Sequence, residues 1–492
     1  LHRSTCARPI EPSLSSRQAV LLNLKGMPPM TKIKSLLCAV AIFALLSATN
    51  AQENESPPPG GKPKDFSLPE KSTVSLDNGM RATTVPFGSV PKTTISVVIR
   101  SGNLNEGDQT WLADLSGDFF LEGTKSRAAE DIARAAASMG GSVNVSVGPD
   151  QTTISAQVLS DFAPDMVTLL ADVVMNPAFP ESEMERLKRD RLRQLSVAKT
   201  QPQQMALAAF RKALYGDHPY GNLLPSEEQL TSYTIDDVRA FYNDNFGALR
   251  THIFVAGVFD ERAIRQAIET GFSDCEAGSE PLIDTPKPAE GKVAVDIVDR
   301  PDASQSNVKL GLPVVAPGDD DWIAMQTTNT LLGGMFSSRI TSNIREDKGY
   351  TYSPQASISN RYQDAYWVQS AAVTTDVTAP ALKEIFYEIE KLQEAPPGDE
   401  ELTGVKNYSS GVFVLQNSTP AGIIGVLSYL DLQGLPDSYL TEYVSNVHAL
   451  EPEDISAMAR KYLRQEDMTL VIVGDRGRIS ESVAPYLAIE EE

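Results

Sequence analysis

Few side chains in this sequence have the types and spacings that catalysis requires. Outside the N-terminal segment the histidines are His218, His252 and His448, and none is paired with another at the spacing that holds a metal ion. His218 lies in a G-D-H-P-Y turn and His252 at the start of a predicted strand, so structural or surface roles are expected. The chain has no G-x-S-x-G nucleophile motif and no phosphate-binding glycine loop. An active site of any of these three types is therefore not expected.

Length and composition predict a globular, acidic protein. The 492 residues, 41% of them hydrophobic, are enough for roughly two or three domains with a sizeable core. The net charge of −22 becomes more negative without residues 1–51, which hold more basic than acidic side chains. Nucleic acid and anionic membranes are therefore poor partners. The charge is consistent with a soluble, self-repelling surface, or with an acidic interior that attracts basic peptides.

The N-terminal segment has the organisation of a secretory signal peptide. After Met30, two lysines precede an apolar stretch from Leu36 to Leu46, and small residues follow up to Ala51. The stretch of about ten residues is shorter than the roughly 20 that a membrane-spanning helix needs, so no membrane anchor is expected. Residues 1–26 are expected to be an upstream extension. Residues 1–51 are thus predicted to be absent from the mature chain, with cleavage after Ala51.

Cysteine usage predicts the compartment. Cys275 is the only cysteine after Ala51, so no disulfide can form within the mature chain. An exported chain with one thiol fits a bacterial periplasm better than a eukaryotic extracellular space. A periplasmic protein is expected.

Strand-like and helix-like segments alternate through the mature chain, which predicts an α+β fold. Examples are the strand-like run at 93–100 and the helix-like runs at 128–139 and 183–199. Residues 276–290 are acidic and proline-rich without an amphipathic period, which is typical of a linker.

The two sides of this linker resemble each other. The segment D-Q-T-W-L-A at 108–113 matches D-D-D-W-I-A at 319–324, and V-A-G at 255–257 matches I-V-G at 472–474. A chance pairing of short motifs is the alternative. Two matches in the same order predict a duplicated unit, with domains at residues 65–275 and 291–488. Each would be a mainly antiparallel sheet with helices packed on it.

Longer segments carry a resemblance to a known family. They are L-D-N-G-M-R at 76–81, W-L-A-D-L-S-G-D-F-F-L-E-G-T at 111–124, and L-L-G-G-M-F-S-S-R-I-T-S-N-I-R-E-D-K-G-Y-T-Y-S at 331–353. In this order they resemble the insulinase/pitrilysin family of zinc metallopeptidases, and the agreement runs from about residue 70 to 475. In active members the second segment contains the inverted zinc motif HxxEH. The resemblance implies two homologous lobes that form half of a clamshell.

The positions that bind and use zinc in this family are changed. The resemblance places Asp114 and Asp118 at the histidine positions, Gly117 at the general base and Gln194 at about the later ligand. Two aspartates and an amide suit a harder cation than zinc, and glycine cannot accept a proton. No zinc is expected in this chain. Asp114 and Asp118 are expected to repel weakly, and Gly117 to cost about 1 kcal/mol within a helix that has lost its catalytic constraint.

The second half keeps residues that assist catalysis in the family. The resemblance assigns Arg345 and Tyr352 to an arginine and tyrosine that reach substrate held at another lobe's zinc. Arginine can hydrogen-bond carbonyl or carboxylate oxygens, and a tyrosine hydroxyl can donate to an oxyanion. Tyr350 is a competitor for the tyrosine role. A surface charge and a packing aromatic are the alternative interpretation.

Two further segments could hold peptide. Residues 331–338 resemble the glycine-containing loop of the family's second lobe, where Gly333 and Gly334 would allow close backbone approach. Residues 141–147, which include Asn144, resemble the edge strand to which family substrates add as an extra strand. A turn and a core strand are equally open interpretations.

Together these features predict a non-catalytic subunit of a heterodimeric periplasmic zinc endopeptidase. The partner would be a subunit of the same family with an HxxEH site that holds the zinc, and the substrates would be peptides or unfolded protein segments. One alternative is a stand-alone homodimer that binds peptides or acts as a scaffold without proteolysis. Another is a self-sufficient hydrolase that uses Asp114 and Asp118 with a different metal, which would lack a general base.

Overall fold

Two β-sheets, one from each half of the sequence, organise the described part of the chain. The computed structural model describes residues 64–281, which we call the first lobe, and residues 295–487, the second lobe. Both lobes belong to one compact unit. The predicted signal peptide and residues 282–290 of the predicted linker lie outside the described residues.

The first lobe contains a six-stranded sheet in the order β1-β2-β6-β3-β5-β4. The β2–β6 pair is parallel and the other neighbours are antiparallel. This single parallel pair joins the beginning of the lobe to its closing strand. The strands are β1 (Ser72–Ser75), β2 (Arg81–Pro86), β3 (Lys92–Ile99), β4 (Val143–Val147), β5 (Thr152–Leu159) and β6 (Thr251–Gly257).

The second lobe repeats this plan with a five-stranded sheet in the order β7-β11-β8-β10-β9. Here the β7–β11 pair is parallel and the other neighbours are antiparallel. In both sheets the closing strand lies beside the first long strand, as expected for a duplicated unit. The strands are β7 (Val295–Asp299), β8 (Gln305–Val314), β9 (Gln355–Arg361), β10 (Asp364–Thr374) and β11 (Thr469–Gly474).

Helices cover both sheets. Those of the first lobe are α1 (Leu112–Phe119), α2 (Ala129–Ser138), α3 (Ala163–Met175), α4 (Glu181–Thr200), α5 (Pro202–Tyr215), α6 (Glu227–Ser232), α7 (Ile235–Asn245) and α8 (Glu261–Phe272). Those of the second lobe are α9 (Trp322–Asn329), α10 (Arg339–Thr341), α11 (Thr378–Glu394), α12 (Asp399–Gln416), α13 (Pro420–Gln433), α14 (Ser438–Thr441), α15 (Tyr443–Ala449), α16 (Pro452–Tyr462) and α17 (Arg476–Leu487). Two π-helical segments, Thr330–Gly334 and Ser342–Asp347, flank α10.

The central strands are buried on both faces, and β3 accordingly ends in three successive apolar residues, at 97–99. In β3, Ile95, Val97 and Ile99 point into the core of the first lobe beneath α3 and α8, whereas Val98 points to the opposite face. A strand with one solvated face would alternate apolar and polar residues. Something other than solvent must therefore cover the outer face of this sheet.

The lobes exchange helices to provide this cover. The outer face of the first sheet packs on Ile423, Ile424 and Leu427 of α13, which belongs to the second lobe. Conversely, Phe210 and Leu214 of α5, from the first lobe, pack on the outer face of the second sheet. The contact between lobes is therefore reciprocal and apolar.

The predicted α+β architecture is confirmed. The helix-like run at 183–199 corresponds to α4 and the run at 128–139 to α2. The predicted edge strand at 141–147 corresponds to β4, which is the outer strand of its sheet. The domain boundaries and the linker remain predictions.

No single helix in residues 64–281 or 295–487 is long and apolar enough to cross a membrane. The bent pair α12 and α13, at 107°, meets the length and composition criteria only when the two helices are taken together.

Candidate functional site

The positions aligned with zinc ligands do converge, but around an arginine. Asp114 and Asp118 lie one turn apart on α1, and Gln194 lies on α4. Between them lies Arg191, one turn before Gln194 on the same face of α4. The guanidinium occupies the place where the three side chains meet.

Arg191 uses all its hydrogen-bonding capacity in this cluster. Its Nε and Nη2 donate to the two carboxylate oxygens of Asp118, at 2.6 and 2.8 Å. Its Nη1 donates to Asp114 Oδ1 at 3.2 Å and to Gln194 Oε1 at 3.3 Å, and its Nη2 donates to the backbone oxygen of Asp114 at 2.8 Å. A guanidinium has five N–H donors, so none is left for a ligand.

The charges of the cluster stabilise one another. Burial would lower the pKa of the Arg191 guanidinium, but the hydrogen bonds and charges of Asp118 and Asp114 raise it above its usual value. Arg191 therefore stays cationic at any physiological pH. The second oxygen of Asp114 accepts from Asn103 Nδ2 at 2.7 Å. Burial raises the pKa of the Asp118 carboxyl and the charge of Asp114 adds to this shift, in line with the predicted repulsion, while the shared Arg191 opposes it.

Gly117 has a packing role that the sequence did not reveal. A Cβ at this position would lie 2.5 Å from Cγ2 of Val147 on β4, closer than van der Waals contact allows. Glycine therefore lets α1 lie against the edge strand. Close packing therefore constrains this position, and the predicted loss of a catalytic constraint on the helix stays a prediction.

These residues do not fit a zinc ion. The donors are two carboxylates and an amide, all engaged by an internal cation, where zinc prefers imidazole or thiolate. Across residues 64–281 and 295–487, no group of three or more histidine, cysteine, aspartate or glutamate side chains could hold a metal ion.

A buried glutamate that sequence reasoning missed holds the start of α1. Glu106 is 6% exposed, and its carboxyl oxygens accept from the backbone N–H groups of Trp111 at 3.1 Å and Ala113 at 3.0 Å. These N–H groups have no partner within the helix, so Glu106 satisfies them. Burial raises the pKa of Glu106 to about 8, although these backbone hydrogen bonds oppose the shift. The start of the helix therefore carries a group that titrates near neutrality.

The histidines have the structural environments expected for them. His252 is buried on β6, accepts or donates a hydrogen bond with Thr83 at 2.8 Å, and lies 3.2 Å from Asp431 of α13. Burial lowers the pKa of the His252 imidazole, although Asp431 opposes the shift. His218 Nδ1 accepts from the backbone of Tyr220, and His448 lies 3.1 Å from the Ser410 hydroxyl.

The second lobe presents Arg345 and Tyr352 together at its surface. The Arg345 guanidinium carbon lies 4.8 Å from the centre of the Tyr352 ring, and Tyr352 is 81% exposed. Nε of Arg345 pairs with Glu346 Oε1 at 3.0 Å. In the described residues the terminal nitrogens of Arg345 have no other ion pair or hydrogen bond. Unlike Arg191, this arginine has donors available for a ligand.

The competitor Tyr350 faces the other way. It is half-buried and packs against the core of the second lobe, and its backbone N–H donates to the Ile344 carbonyl at 2.9 Å. Tyr352 is consequently the tyrosine of this segment whose ring is available at the surface.

Buried polar contacts hold the π-helical segment that carries Arg345. Asn343 Nδ2 donates to Glu388 at 2.7 Å and to Glu384 at 3.0 Å, and both glutamates lie on α11. A π-helical turn is an uncommon geometry that often occurs at functional sites. The segment is thus fixed from beneath while Arg345 remains accessible.

The other predicted peptide-binding residues have different environments. Asn144 is exposed on β4, and its side chain contacts only Ser142 in the described part of the chain. A Cβ on Gly333 would lie 2.6 Å from Cβ of Ala356 on β9, so the close backbone approach at this glycine is to the protein itself. Gly334 lines a cavity beside β9. Whether these three residues contact peptide stays a prediction.

The cavity beside β9 has a volume of about 620 Å³. It lies between β9, α9, α12 and α13, and the described residues that line it carry no charge. Two of the lining amides, Gln326 and Asn329, have side-chain oxygens without a hydrogen-bond partner in the described residues. These two oxygens can accept hydrogen bonds from a ligand, and the absence of charge among the described lining residues favours an uncharged donor.

Comparison with known proteins defines the family. The family model described as insulinase (peptidase family M16) matches residues 88–226, and the model described as the peptidase M16 inactive domain matches residues 232–408. An uncharacterized zinc protease of Bacillus subtilis, YmxG, is 25% identical over 409 residues, which is 82% of this chain and 98% of the relative. A similar uncharacterized zinc protease of Streptomyces coelicolor is 23% identical over 81% of this chain and 88% of the relative.

Solved structures show the same fold. A peptidase M16 inactive domain from Pseudomonas fluorescens has a TM-score of 0.77 and 24% identity, and covers 82% of this chain and 98% of its own. A protease from Helicobacter pylori has a TM-score of 0.78 and 20% identity, and covers 83% of this chain and 100% of its own. The chain therefore belongs to the insulinase family of peptidases, M16. Within it, this protein is an inactive homologue.

Proposed function

We propose that this chain is the non-catalytic subunit of a periplasmic heterodimeric zinc endopeptidase. It would bind peptide and present Arg345 and Tyr352 to the HxxEH site of a partner subunit of the same family. The observation that carries this proposal is the contrast between the two lobes. Arg191 fills the space between Asp114, Asp118 and Gln194. By contrast, Tyr352 is exposed, and the terminal nitrogens of Arg345, whose side chain is 25% exposed, make no hydrogen bond in the described residues.

The proposed division of labour follows from the chemistry of these groups. The partner's HxxEH site would supply the zinc ion and the general base. Arg345 would donate from its terminal nitrogens to a carbonyl or carboxylate oxygen of the peptide, and so orient it. The Tyr352 hydroxyl would donate to the oxyanion that develops at the scissile carbonyl. The outer strand β4 offers main-chain groups to which an extended peptide could pair.

The test is reconstitution with an HxxEH-containing subunit of the same family from the same organism. The mature chain, the partner and the purified pair are assayed for peptide cleavage and for bound zinc. We expect zinc in the partner and efficient cleavage only by the pair. Stoichiometric zinc and peptide cleavage by this chain alone would overturn the proposal.

Variants separate the proposal from its main alternative. Arg345→Ala and Tyr352→Phe should lower turnover by the pair without dissociating it. Matched controls are Arg134→Ala, an exposed arginine on α2, and Tyr387→Phe, an exposed tyrosine on α11. If the pair forms but Arg345→Ala and Tyr352→Phe behave like the controls, the chain acts as a scaffold. If no pair forms and the chain alone is a dimer that binds peptide, the homodimeric binding protein is favoured.

A further inference from the structure

Arg345 has a second aromatic neighbour that comes from a different segment of the chain. The guanidinium carbon lies 4.5 Å from the centre of the Phe336 ring, slightly closer than its distance to Tyr352. Phe336 follows the first π-helical segment, Thr330–Gly334, and lies nine residues before Arg345. Two aromatic rings therefore contact one guanidinium from separate loops.

The exposure of Phe336 indicates that its ring does not serve the core. It is 63% exposed, an unfavourable place for a phenylalanine side chain, and it belongs to none of the buried clusters of the second lobe. A cation held over an aromatic face is attracted by the ring quadrupole. The contact with Arg345 therefore stabilises this ring at the surface.

In the described residues the terminal nitrogens of Arg345 make no hydrogen bond, and its side chain is 25% exposed. Phe336 and Tyr352 lie within cation–π distance, and Glu346 binds Nε at 3.0 Å. The terminal nitrogens are the donors that remain for a ligand oxygen. A flexible arginine loses much rotamer freedom when it binds, so an arginine already held in place binds with less loss of entropy.

We propose that Phe336 is a positioning residue, which holds the Arg345 guanidinium so that its terminal nitrogens meet a peptide oxygen. This inference rests on the proposed function, because the peptide is the one cleaved at the partner's site. Phe336 itself touches neither substrate nor zinc, and acts through Arg345. The loss of one exposed cation–π contact corresponds to about a two- to fivefold change.

The reconstituted pair provides the kinetic test. Phe336→Leu removes the ring but keeps an apolar side chain, and should lower kcat/KM about two- to fivefold. Phe336→Trp keeps an aromatic face and should restore activity. In the Arg345→Ala background, Phe336→Leu should have no further effect, because the group it positions is gone. The control Tyr387→Leu removes an exposed ring beside Lys391 on α11, and should leave kcat/KM unchanged.

The outcomes distinguish the two proposals. If Arg345→Ala has no effect, the proposed function fails. If Arg345→Ala lowers activity but Phe336→Leu has no effect, or the same effect in both backgrounds, the inference about Phe336 fails.

A measurement on the isolated chain tests the geometry without the partner. In protein labelled with ¹⁵N-arginine, the Nε–H resonance that disappears in Arg345→Ala should be shifted by the neighbouring rings. Phe336→Leu should move that resonance toward the position of exposed arginines, and Phe336→Trp should not. An unchanged resonance in Phe336→Leu would overturn the proposed contact.

Discussion

Two arginines, one in each lobe, show how the same side chain serves opposite purposes. Arg191 makes five hydrogen bonds to neighbours in its own lobe, and its side chain is 13% exposed. Arg345 pairs only through Nε, lies over two exposed rings and keeps its terminal nitrogens available in the described structure. The first arginine is the cation that holds α1 and α4 together. The second is in a position to bind a ligand.

If the proposed function is right, this contrast is how a duplicated peptidase fold loses chemistry in one lobe and keeps it in the other. Loss of the ligands alone would leave acidic side chains together near the former metal position. In this chain an internal cation and a tightly packed glycine have taken their place. Substitutions in the first lobe are therefore expected to change mainly stability, and substitutions in the second lobe mainly activity.

The largest expected effect is on stability, from Arg191→Ala. Its removal leaves Asp114 and Asp118 close together and partly buried, which should lower the free energy of unfolding by about 3 kcal/mol. Urea unfolding followed by circular dichroism measures the change. Arg193→Ala is the control, since Arg193 lies on the same helix with 73% of its side chain exposed, and should change stability by less than about 0.5 kcal/mol. Equal effects of the two variants would refute the structural role of Arg191.

The next effect is a pH dependence of stability in the first lobe. Glu106 has a pKa of about 8 in the folded chain and an ordinary value of 4.5. The folded chain keeps a proton that the unfolded chain releases, so stability falls as pH rises from 4.5 to 8. The loss between pH 5 and pH 7 is about 2 kcal/mol, at about 1.36 kcal/mol per pKa unit.

The difference between wild type and Glu106→Gln isolates this group. The glutamine cannot ionise, so the free energy of unfolding of the variant should lack the fall with pH that Glu106 causes. This holds whatever the stability of the variant at a single pH. Urea unfolding at pH 5, 6 and 7 measures both proteins. Parallel curves would show that Glu106 does not titrate in this range.

In contrast to Arg191→Ala, Arg345→Ala should have a large effect on activity and a small effect on stability. The loss of a charged hydrogen bond worth about 1.5–3 kcal/mol should lower kcat/KM of the pair about 10- to 100-fold. The free energy of unfolding should change by less than about 1 kcal/mol, because Glu346 and both rings that contact Arg345 are exposed. A stability loss as large as that of Arg191→Ala would remove the distinction between the two arginines.

The smallest effect compares two helical glycines. Gly404 on α12 has open space around its Cα, so Gly404→Ala should stabilise by about 0.5–1 kcal/mol through helix propensity. Gly117→Ala gains the same propensity but forces Val147 to move, and should destabilise by about 1 kcal/mol overall. The double variant Gly117→Ala/Val147→Ala should lose this coupling. Stabilisation by Gly117→Ala alone would show that the contact between α1 and β4 can relax freely.

Sequence patterns predicted the elements better than the contacts between them. The period of 183–199 located α4, and the duplicated W-[L/I]-A segments indicated repeated lobes, because such signals are local. The convergence of Asp114, Asp118 and Gln194 also followed from the resemblance. Arg191 could have been noticed, since it lies one helical turn before Gln194 and shares its face.

Other features depend on tertiary contacts that no local pattern encodes. Phe336 and Arg345 meet because two loops fold against each other, and Gly117 is required because β4 approaches α1. Glu106 lies before its helix at a distance in sequence that no usual capping motif predicts. The pKa of such a group is set by burial, which becomes known only with the fold.

The exchange of α5 and α13 between the sheets has a mechanical consequence. Separation of the lobes would expose two apolar sheet faces at once, so the chain should move as a single rigid half. If the chain pairs with a partner subunit as proposed, an opening that admits a long peptide must occur between the two polypeptides and not at a hinge within this one. Protease cleavage of the connection between the lobes should leave two fragments that elute together, and separate elution would reveal a flexible joint.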